Sequence, residues 1–373
     1  MRKIELRTCC WKLALILVAG LACSLVTTGL AGELEPPAPP GTPTMKPLHE
    51  LEPRRPIYPD MLPLTISEPG SYYLVEPIST SGEGITIDSD YVTIDLNGFA
   101  LSGGAGSGIT VTEFSGYEGI VIRDGFITTW SDWGIDLAYS LARTQSVEIL
   151  DVHLLHNGNG MRMYGESGIH RCAALYNNGI GIDAGFNSIV TDSVVRGTKT
   201  GSALITGGGT IVTRAEIRGN DSGGVVLGEG AQLLESTVSS NEGHGIDATG
   251  NAAMIRNNMV FHNDFDGIRV RNFSFVKGNL CVMNGNQVDD GAGIRLMNDS
   301  NRIEDNHLKS NDIGLYIHGE NNTLLRNTMD GNAQNWGRDP GVTRWIFMIW
   351  TIASPDLPSA WDNMEDNSHM SAP

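Results

Sequence analysis

Short stretches that alternate between aliphatic and polar residues fill the chain from about residue 84 to residue 335. The clearest pattern is Gly, then Ile, Val, Leu or Met, then any residue, then usually an aliphatic residue. Its copies begin at Gly84, Gly108, Gly134, Gly160, Gly181, Gly224, Gly245, Gly267, Gly293 and Gly314, with a degenerate copy at Gly201. Ten repeat lengths separate Gly84 from Gly314, so the mean period is 23 residues. Alternation of this kind predicts β-strands with one buried face.

A second pattern, Asn-x-aliphatic-x-x-Asn, precedes many copies of the first, as in Asn258–Asn263, Asn306–Asn311 and Asn327–Asn332. A third stretch in each repeat alternates more loosely, for example around Ile211. Each repeat therefore contains three short strands with Gly or Asn between them. Three strands and three turns in a repeat of this length are typical of one coil of a parallel β-helix.

Proline, glycine and asparagine usage favours the same architecture. No proline lies between Pro77 and Pro340, and proline is excluded from a strand paired on both sides because it has no N–H for the ladder. We expect the glycines at positions of positive φ. We expect the asparagines in turns, where they tolerate left-handed angles and bond from coil to coil. The sequence predicts an all-β fold, a right-handed parallel β-helix of about eleven coils.

The segments before the repeats have a different composition. Residues 1–31 are assigned as a signal peptide, because a basic start precedes the apolar stretch Leu13–Val26 and a small-residue cleavage site follows. A retained membrane anchor is the alternative, and lipidation of Cys23 is left open. Residues 32–63 form a Pro-rich leader, and residues 64–335 form the β-helix with an N-terminal coil at its start.

The C-terminal segment 336–373 breaks the repeat. It brings four tryptophans close together in the chain, Trp336, Trp345, Trp350 and Trp361. A solenoid exposes its core and its unpaired strand edges at the last coil, so we interpret this segment as a cap. An aromatic platform that stacks on sugars is the alternative interpretation.

The chain carries a net charge of −18. Such an acidic protein is repelled by phosphate backbones and by anionic lipid, so nucleic acid and membrane are not expected partners. Removal of residues 1–31 leaves Cys172 and Cys281 as the only cysteines. Two cysteines provide neither a disulfide framework nor a C-x-x-C metal site. We expect a monomer that is secreted, either extracellular or periplasmic.

The two repeat patterns resemble those of the secreted bacterial right-handed β-helix proteins of the pectate-lyase-like superfamily. The stretches Ile66–Leu74 and Ile94–Phe99 resemble the N-terminal coil of its poorly characterised members. The resemblance covers residues 64–335. It implies the fold, but the superfamily contains lyases, hydrolases, epimerases, carbohydrate-binding proteins and adhesins, so it does not choose an activity.

The motifs of pectin-active enzymes in this superfamily are missing or out of order. The tripeptide Gly243-His244-Gly245 is similar to that of polygalacturonases, but Asp289-Asp290 follows it where those enzymes have the acidic pair first, and their Asn-Thr-Asp segment is absent. The Arg-x-Pro-x-x-Arg motif of pectate lyases cannot occur in a proline-free body, and the Asp-Pro-His motif of epimerases is absent. A standard pectin enzyme is therefore disfavoured, whereas a divergent one is not.

The third residue of each Gly-Ile repeat should point outward, so stacking predicts a vertical ladder of these residues about 5 Å apart. The ladder reads Asp136, Arg162, Asp183, Val226, Asp247, Arg269, Arg295 and Tyr316. Its last four members form the best candidate site. Two arginines beside one carboxylate would carry excess positive charge, which suits a uronate because Arg binds carboxylates in a bidentate manner.

For an enzyme, we predict that Arg269 and Arg295 neutralise the substrate carboxylate and that His244 or Asp247 exchanges the proton. Tyr316 and Asp266 are candidate substrate-binding residues. An insertion before Gly293 carries the acidic pair Asp289 and Asp290, which with Asp266 offers oxygen ligands for Ca²⁺. The alternative is that the alternating charges are ordinary surface ion pairs.

Two functional hypotheses follow. The first is a secreted protein that engages an acidic polysaccharide or cell-surface glycan, as a lyase- or epimerase-like enzyme or as a binding module. The second is a non-catalytic surface protein, structural, adhesive or carbohydrate-binding, in which the rigid rod is itself the function.

Overall fold

Each predicted repeat forms one coil of a parallel β-helix. The computed structural model describes residues 53–112, 116–138, 144–285 and 291–342, and the backbone of 345–352. Every strand pair in these residues is parallel, and the strands stack in register from coil to coil, as in the pairing of Ile246–Ala248 with Ile268–Val270. The exception is the pair of Asn322–Asp330 and Trp345–Ile352, in which the register shifts twice. The right-handed parallel β-helix predicted from the repeats is confirmed, with about a dozen coils.

Sheet 1 carries the Gly-Ile repeats and contains 13 strands. They are Leu64–Ile66, Ile85–Ile87, Ile109–Val111, Trp133–Asp136, Asn159–Arg162, Ile182–Asp183, Leu204–Ile205, Val225–Leu227, Ile246–Ala248, Ile268–Val270, Ala292–Leu296, Ile313–Ile317 and Gln334–Arg338. Because strands of one sheet are in register, residues that precede them lie at one edge of sheet 1 and residues that follow them lie at the other edge.

The other two faces together form a 23-stranded sheet, because four long strands run through both. Sheet 2 contains Arg55–Ile57, Gly70–Leu74, Val92–Asp95, Ser167–His170, Ile189–Thr191, Ile211–Thr213, Gln232–Leu234, Met254–Arg256, Phe275–Lys277 and Arg302–Glu304. Sheet 3 contains Ile78–Thr80, Ala100–Gly103, Ala173–Leu175, Val194–Arg196, Glu216–Arg218, Thr237–Ser239, Met259–Phe261, Leu280–Val282 and His307–Lys309. The shared strands are Val121–Thr128, Val147–Leu155, Asn322–Asp330 and Trp345–Ile352. A 3-10 turn at Pro59–Met61 lies near the start of the described chain.

The core is a set of apolar ladders inside the three sheets. In sheet 1 the stacked residues Ile246, Ile268, Ile294 and Leu315 have no solvent-exposed surface. Burial of each such side chain contributes roughly 1.5–3 kcal/mol. The alternation read from the sequence therefore places the aliphatic residue inside and the variable residue outside, on every coil.

Buried asparagines lock successive coils together at the turns. Asn241 donates from Nδ2 to Oδ1 of Asn263 at 2.8 Å, and Asn263 donates in the same way to Asn284 at 2.9 Å. Their backbone N–H groups donate to the same oxygens. Equivalent bonds join Asn284, Asn311 and Asn332, then Asn258, Asn279, Asn306 and Asn327 at a second turn, and Asn301 and Asn322 at the third. The predicted bonding from coil to coil is confirmed.

The left-handed backbone angle falls on the residue before each ladder asparagine. His262, with φ of 55°, precedes Asn263, and Asp305, with φ of 56°, precedes Asn306. The expectation that the ladder asparagines themselves take these angles was therefore wrong. The turn is made one residue earlier, at a position nearer the surface, which lets the following amide point inward to the next coil.

The first glycine of the Gly-Ile repeat is needed for space. Gly245 does not have a positive φ, which corrects the expectation for this position. A Cβ atom on Gly245 would lie 2.7 Å from the carbonyl oxygen of Gly267 and 2.9 Å from Cγ1 of Val260. The backbone of the next coil therefore passes too close for any side chain.

Parallel pairing extends beyond both ends of the predicted repeat region 64–335. Arg55–Ile57 pairs with residues 72–74, and Trp345–Ile352 pairs with the strand Asn322–Asp330. The predicted signal peptide, most of the leader and the tail beyond residue 352 lie outside the described residues, so the domain boundaries and the cap stay predictions. Within the described residues, no helix is long and apolar enough to cross a membrane.

The first prediction concerns the asparagine ladder. Oδ1 of buried Asn177 accepts the N–H of Asn157 at 2.9 Å, so Asn177→Ala leaves a buried donor without its partner. We expect the unfolding free energy, measured by urea denaturation with circular dichroism, to fall by about 1–3 kcal/mol. Asn178→Ala is the matched control, since Asn178 is the exposed next residue, and its effect should stay below about 0.5 kcal/mol. Equal losses in the two variants would contradict the ladder's role.

The second prediction concerns the thiols. Cys172 and Cys281 are buried free cysteines in the core. Burial raises the pKa of Cys172 to about 12 and raises the pKa of Cys281 as well. Because the thiolate is the reactive form, peptides containing Cys172 and Cys281 should stay unlabelled by iodoacetamide in the native protein and become labelled in urea, as read by mass spectrometry. Labelling of either peptide under native conditions would contradict this burial.

Candidate functional site

The predicted outward ladder is present on sheet 1. Strand register stacks Asp247 on Arg269, Arg269 on Arg295, and Arg295 on Tyr316. Each of these residues follows a fully buried aliphatic residue, so alternation turns its side chain outward. Stacking thus brings together four residues that the chain separates by 21 to 26 residues at each step.

An open cleft lies over the C-terminal half of this ladder. Its volume is about 390 Å³, near the lower end of the roughly 300–1,000 Å³ typical of ligand sites. The residues that line it define the sheet 1 cleft: His244, Phe265, Asp266, Arg269, Arg295, Met297 and His318. Four of these, His244, Asp266, Arg269 and Arg295, were predicted from the sequence.

Each arginine of the cleft has its own carboxylate. Arg269 binds Asp247 through Nε and a terminal nitrogen, and Arg295 binds Asp266 through Nε at 2.7 Å. The sequence led us to expect two arginines against one carboxylate. The structure instead provides two carboxylates, because the turn before Ile268–Val270 places Asp266 against Arg295 in the strand of the next coil. The two ion pairs cancel in charge, and the arginine side chains remain 30% and 15% exposed, respectively.

Asp266 is the buried centre of the cleft's polar contacts. Its Oδ1 accepts the backbone N–H of Ala292 at 2.8 Å, and its Oδ2 lies 3.2 Å from Nδ1 of His244. Burial alone would raise the pKa of Asp266. The His244 contact, the Arg295 charge and the Ala292 N–H outweigh that effect, and the pKa lies below its ordinary value. Asp266 is therefore an anion that organises the site.

His318 and Asp339 form a second histidine–carboxylate pair that the sequence analysis did not single out. Nδ1 of His318 lies 2.8 Å from Oδ2 of Asp339, and the Tyr316 hydroxyl donates to Oδ1 of Asp339 at 3.1 Å. The His318 contact lowers the pKa of Asp339 despite slight burial, and the Tyr316 bond adds to the effect. Alternation along the strand could have identified His318, because a residue two positions after a ladder residue such as Tyr316 also faces outward.

The two histidines stand at opposite edges of sheet 1. His244 precedes Ile246–Ala248, whereas His318 follows Ile313–Ile317. Arg269 and Arg295 lie within their strands, between these edges. The cleft therefore has a guanidinium floor with one imidazole on each side.

Apolar contacts complete both sides of the cleft. The rings of Phe265 and His244 lie 5.4 Å apart, and the rings of Tyr316 and His318 lie 4.7 Å apart. The Arg295 guanidinium stacks 4.8 Å from the centre of the Tyr316 ring. Aromatic and guanidinium planes of this kind hold the polar groups in fixed orientations.

The predicted calcium ligands are not brought together by the described residues. Asp289 and Asp290 fall in the stretch 286–290, outside the described residues. Both oxygens of Asp266 already contact His244, Arg295 or Ala292. Among the residues that the structure describes, no group of three His, Cys, Asp or Glu side chains is placed to hold a metal ion. A calcium site involving the acidic pair stays a prediction.

The third prediction concerns Asp266. Its lowered pKa means that the ionised form stabilises the fold above the unfolded value near 3.8, and that this contribution is lost as pH falls through the lower, folded value. Asp266→Asn should lower the unfolding free energy by about 3 kcal/mol at neutral pH. The difference between the urea midpoints of wild type and variant should stay constant down to about pH 4 and should shrink toward zero at lower pH.

Asp330→Asn is the control for this experiment. Asp330 is partly exposed and lies 3.8 Å from Lys309 on another face of the helix, so its effect should be small at every pH. A stability difference for Asp266→Asn that persists unchanged in acid would show that its charge does not organise the cleft.

Comparison with solved structures supports the fold. The A-module of the Azotobacter vinelandii mannuronan C-5 epimerase AlgE6 matches with a TM-score of 0.56 and 16% identity, over 77% of this chain and 91% of that one. The AlgE4 A-module from the same organism matches with a TM-score of 0.48 and 16% identity, over 75% and 91%. Pectate lyase Pel9A matches with a TM-score of 0.39 and 12% identity, over 78% and 74%. At 16% identity, the likeness to the AlgE6 A-module supports the parallel β-helix fold alone.

Sequence comparison supplies the family. Among curated proteins, none matches this chain. The family model described as "Periplasmic copper-binding protein (NosD)" matches residues 157–354, which is more than half of the chain. The matched range spans most of the described coils, including every residue of the sheet 1 cleft, and the chain belongs to the NosD family.

Proposed function

We propose that this protein binds an acidic polysaccharide in the sheet 1 cleft and exchanges a proton at a uronate residue, as a lyase or an epimerase does. The observation that carries the proposal is the guanidinium floor of Arg269 and Arg295 between two imidazoles. A carboxylate on the sugar would meet the exposed parts of the guanidiniums. The imidazoles at the two edges would serve as proton acceptor and donor.

The charge balance of the cleft defines how such a ligand would be recognised. The pairs Arg269–Asp247 and Arg295–Asp266 are each neutral, and the chain as a whole is strongly acidic. Recognition would therefore come from directed N–H donors and stacking on Phe265 rather than from a positive field. The open shape and small volume suit a short stretch of a longer glycan, with the rest lying along sheet 1.

The fold neighbour supports the reaction class without establishing it. The AlgE6 A-module is named as a mannuronan C-5 epimerase, so a protein with this fold carries out uronate chemistry. At 16% identity the likeness itself extends only to the fold. The activity proposed here depends on the residues of this chain.

Copper, which the family description names, does not fit the described residues. His244, His318 and Met297 line the same cleft, but the guanidinium groups of Arg269 and Arg295 lie between them, and these groups offer only N–H donors and no lone pair to a metal ion. The cysteines, which would favour copper, are buried in the core. We therefore base no step of the proposed reaction on a metal.

The proposed location is outside the cytoplasm, either secreted or periplasmic. The family model is described as periplasmic, and the pattern of residues 1–31 supports export. An acidic glycan of the envelope or the surroundings would be the partner available there.

The non-catalytic interpretation has one observation in its favour. Arg162 binds Asp136 through Nε and a terminal nitrogen on the same face of sheet 1, but not among the residues that line the cleft. Such pairs therefore also occur outside the sheet 1 cleft. Binding of uronate polymers without any chemical change would favour this interpretation.

The fourth prediction tests the guanidinium floor. Arg269→Gln should weaken binding of oligouronates about tenfold, and the double variant with Arg295→Gln should weaken it further, because each charged hydrogen bond contributes roughly 1.5–3 kcal/mol. The affinity of each variant is measured by isothermal titration calorimetry with polygalacturonate, alginate and neutral dextran, each with and without Ca²⁺. Ultraviolet absorbance of unsaturated uronates follows elimination in the same panel.

Arg162→Gln is the matched control, since it removes the same kind of ion pair from the same sheet. It should bind as wild type does. Circular dichroism verifies that each variant folds. Removal of Arg295 leaves the buried Asp266 carboxylate without its arginine partner and can unfold the double variant. The single variant Arg269→Gln then still tests the proposal. Wild-type affinity in both Arg269→Gln and a folded double variant would contradict the proposed binding mode.

A further inference from the structure

His318 has its two ring nitrogens in opposite environments. Nδ1 lies 2.8 Å from the Asp339 carboxylate, which can only accept, so Nδ1 carries a hydrogen. Nε2 lies 3.4 Å from a terminal nitrogen of Arg295, which can only donate. A neutral imidazole satisfies both neighbours with the hydrogen on Nδ1 and the lone pair on Nε2. That lone pair lies on the cleft side, because His318 and Arg295 both line the cleft.

Asp339 fixes the orientation of two side chains at once. Its Oδ2 holds His318, and its Oδ1 accepts the Tyr316 hydroxyl. Tyr316 in turn stacks on the Arg295 guanidinium. Because Asp339 ties His318 to Tyr316, and Tyr316 packs on Arg295, the imidazole cannot rotate without breaking contacts on both sides.

The other proton-exchange candidates lack this arrangement. Both oxygens of Asp247 accept hydrogen bonds from Arg269, at Nε and at a terminal nitrogen, whereas Nε2 of His318 has a single, longer contact of 3.4 Å with Arg295. His244 contacts both the backbone nitrogen and the carboxylate of Asp266 through Nδ1. That carboxylate is shared with Arg295, whereas Asp339 binds His318 and Tyr316 without an arginine.

We propose that His318 is the proton acceptor of the sheet 1 cleft, reacting at Nε2, and that Asp339 is its positioning residue. The inference rests on the proposed uronate chemistry and deepens it by assigning which of the two histidines, one at each edge of sheet 1, accepts the proton. His244, at the opposite edge, is then the proton donor. The sequence pattern alone predicts the exchange at His244 or Asp247.

The step balances without a metal or another reactant. A proton leaves the ring carbon that bears the carboxylate and bonds to Nε2 of His318, while the C–H electron pair moves into the carboxylate. Arg295 stabilises the enediolate that forms. In epimerisation, protonated His244 returns a proton to the same carbon from the other side. In elimination, the electron pair forms a C=C bond, the bond to the glycosidic oxygen breaks, and His244 protonates that oxygen. Solvent then restores both histidines.

The fifth prediction has one arm that needs no ligand. Nitrogen-15 NMR of the full chain, with the His318 signals assigned by their loss in His318→Gln, should show the neutral tautomer with hydrogen on Nδ1. Asp339→Asn should shift the population toward the Nε2–H tautomer, because the acceptor for Nδ1–H is weakened. Asp330→Asn, a carboxylate on another face, should leave the spectrum of His318 unchanged. An Nε2–H tautomer in the wild type would overturn the proposal.

The second arm measures turnover on the uronate panel, as deuterium uptake from heavy water and as unsaturated product. His318→Gln should lower kcat about 100-fold or more while oligouronate binding is retained. Asp339→Asn should lower kcat about 10- to 100-fold with KM unchanged. His307→Gln, which removes a histidine from sheet 3, should match wild type. Wild-type turnover in folded His318→Gln would overturn the assignment.

The two proposals fail in distinguishable ways. A wild-type protein that binds uronates but neither exchanges deuterium nor forms product overturns the role of His318 and leaves glycan binding in place. A protein that binds no uronate overturns both. Turnover that depends on His244 but not on His318 overturns only the assignment of the acceptor.

Discussion

In-register stacking of parallel coils is the constraint on which this structure depends. Each backbone strand bonds to the same strand one repeat later, and buried asparagine amides repeat that bonding at the turns. An amide placed there without the next coil would be a buried, unsatisfied polar group. The ladders therefore specify the length of each repeat as well as its stability. They also explain why the backbone approaches too closely at Gly245 for any side chain.

The cleft is a product of the same constraint. His244, Asp266, Arg295, His318 and Asp339 come from successive coils, and each contacts a residue about one coil away. No single coil contains a site. The cleft forms because the ladder positions of several coils carry complementary charges and aromatic rings, and the sheet holds successive positions about 5 Å apart.

Periodicity made the fold and the outward ladder predictable, because alternation fixes the face of each residue and the repeat length fixes its vertical neighbours. It therefore identified Arg269, Arg295 and the turn residues His244 and Asp266. It could not show that Asp266 reaches across to Arg295, since this depends on turn geometry. His318 was missed because only the third residue of each Gly-Ile repeat was taken to face outward, and Asp339 was missed because it lies beyond residue 335, where the repeat pattern is weak. The tryptophan-rich tail and the acidic pair Asp289-Asp290 obey no period, so their roles stay predictions.

The stacked arrangement of the coils determines where local unfolding begins. Each inner coil has a neighbour on both sides, whereas the final coil has one, so opening should begin at the termini and advance inward. Asp339 belongs to one of the last described coils, and its partner His318 to the coil before it. The His318–Asp339 pair thus lies among the last coils that the structure describes. A polymer chain bound across these coils would stabilise their folded state, and stable folding of these coils would in turn favour binding of the polymer.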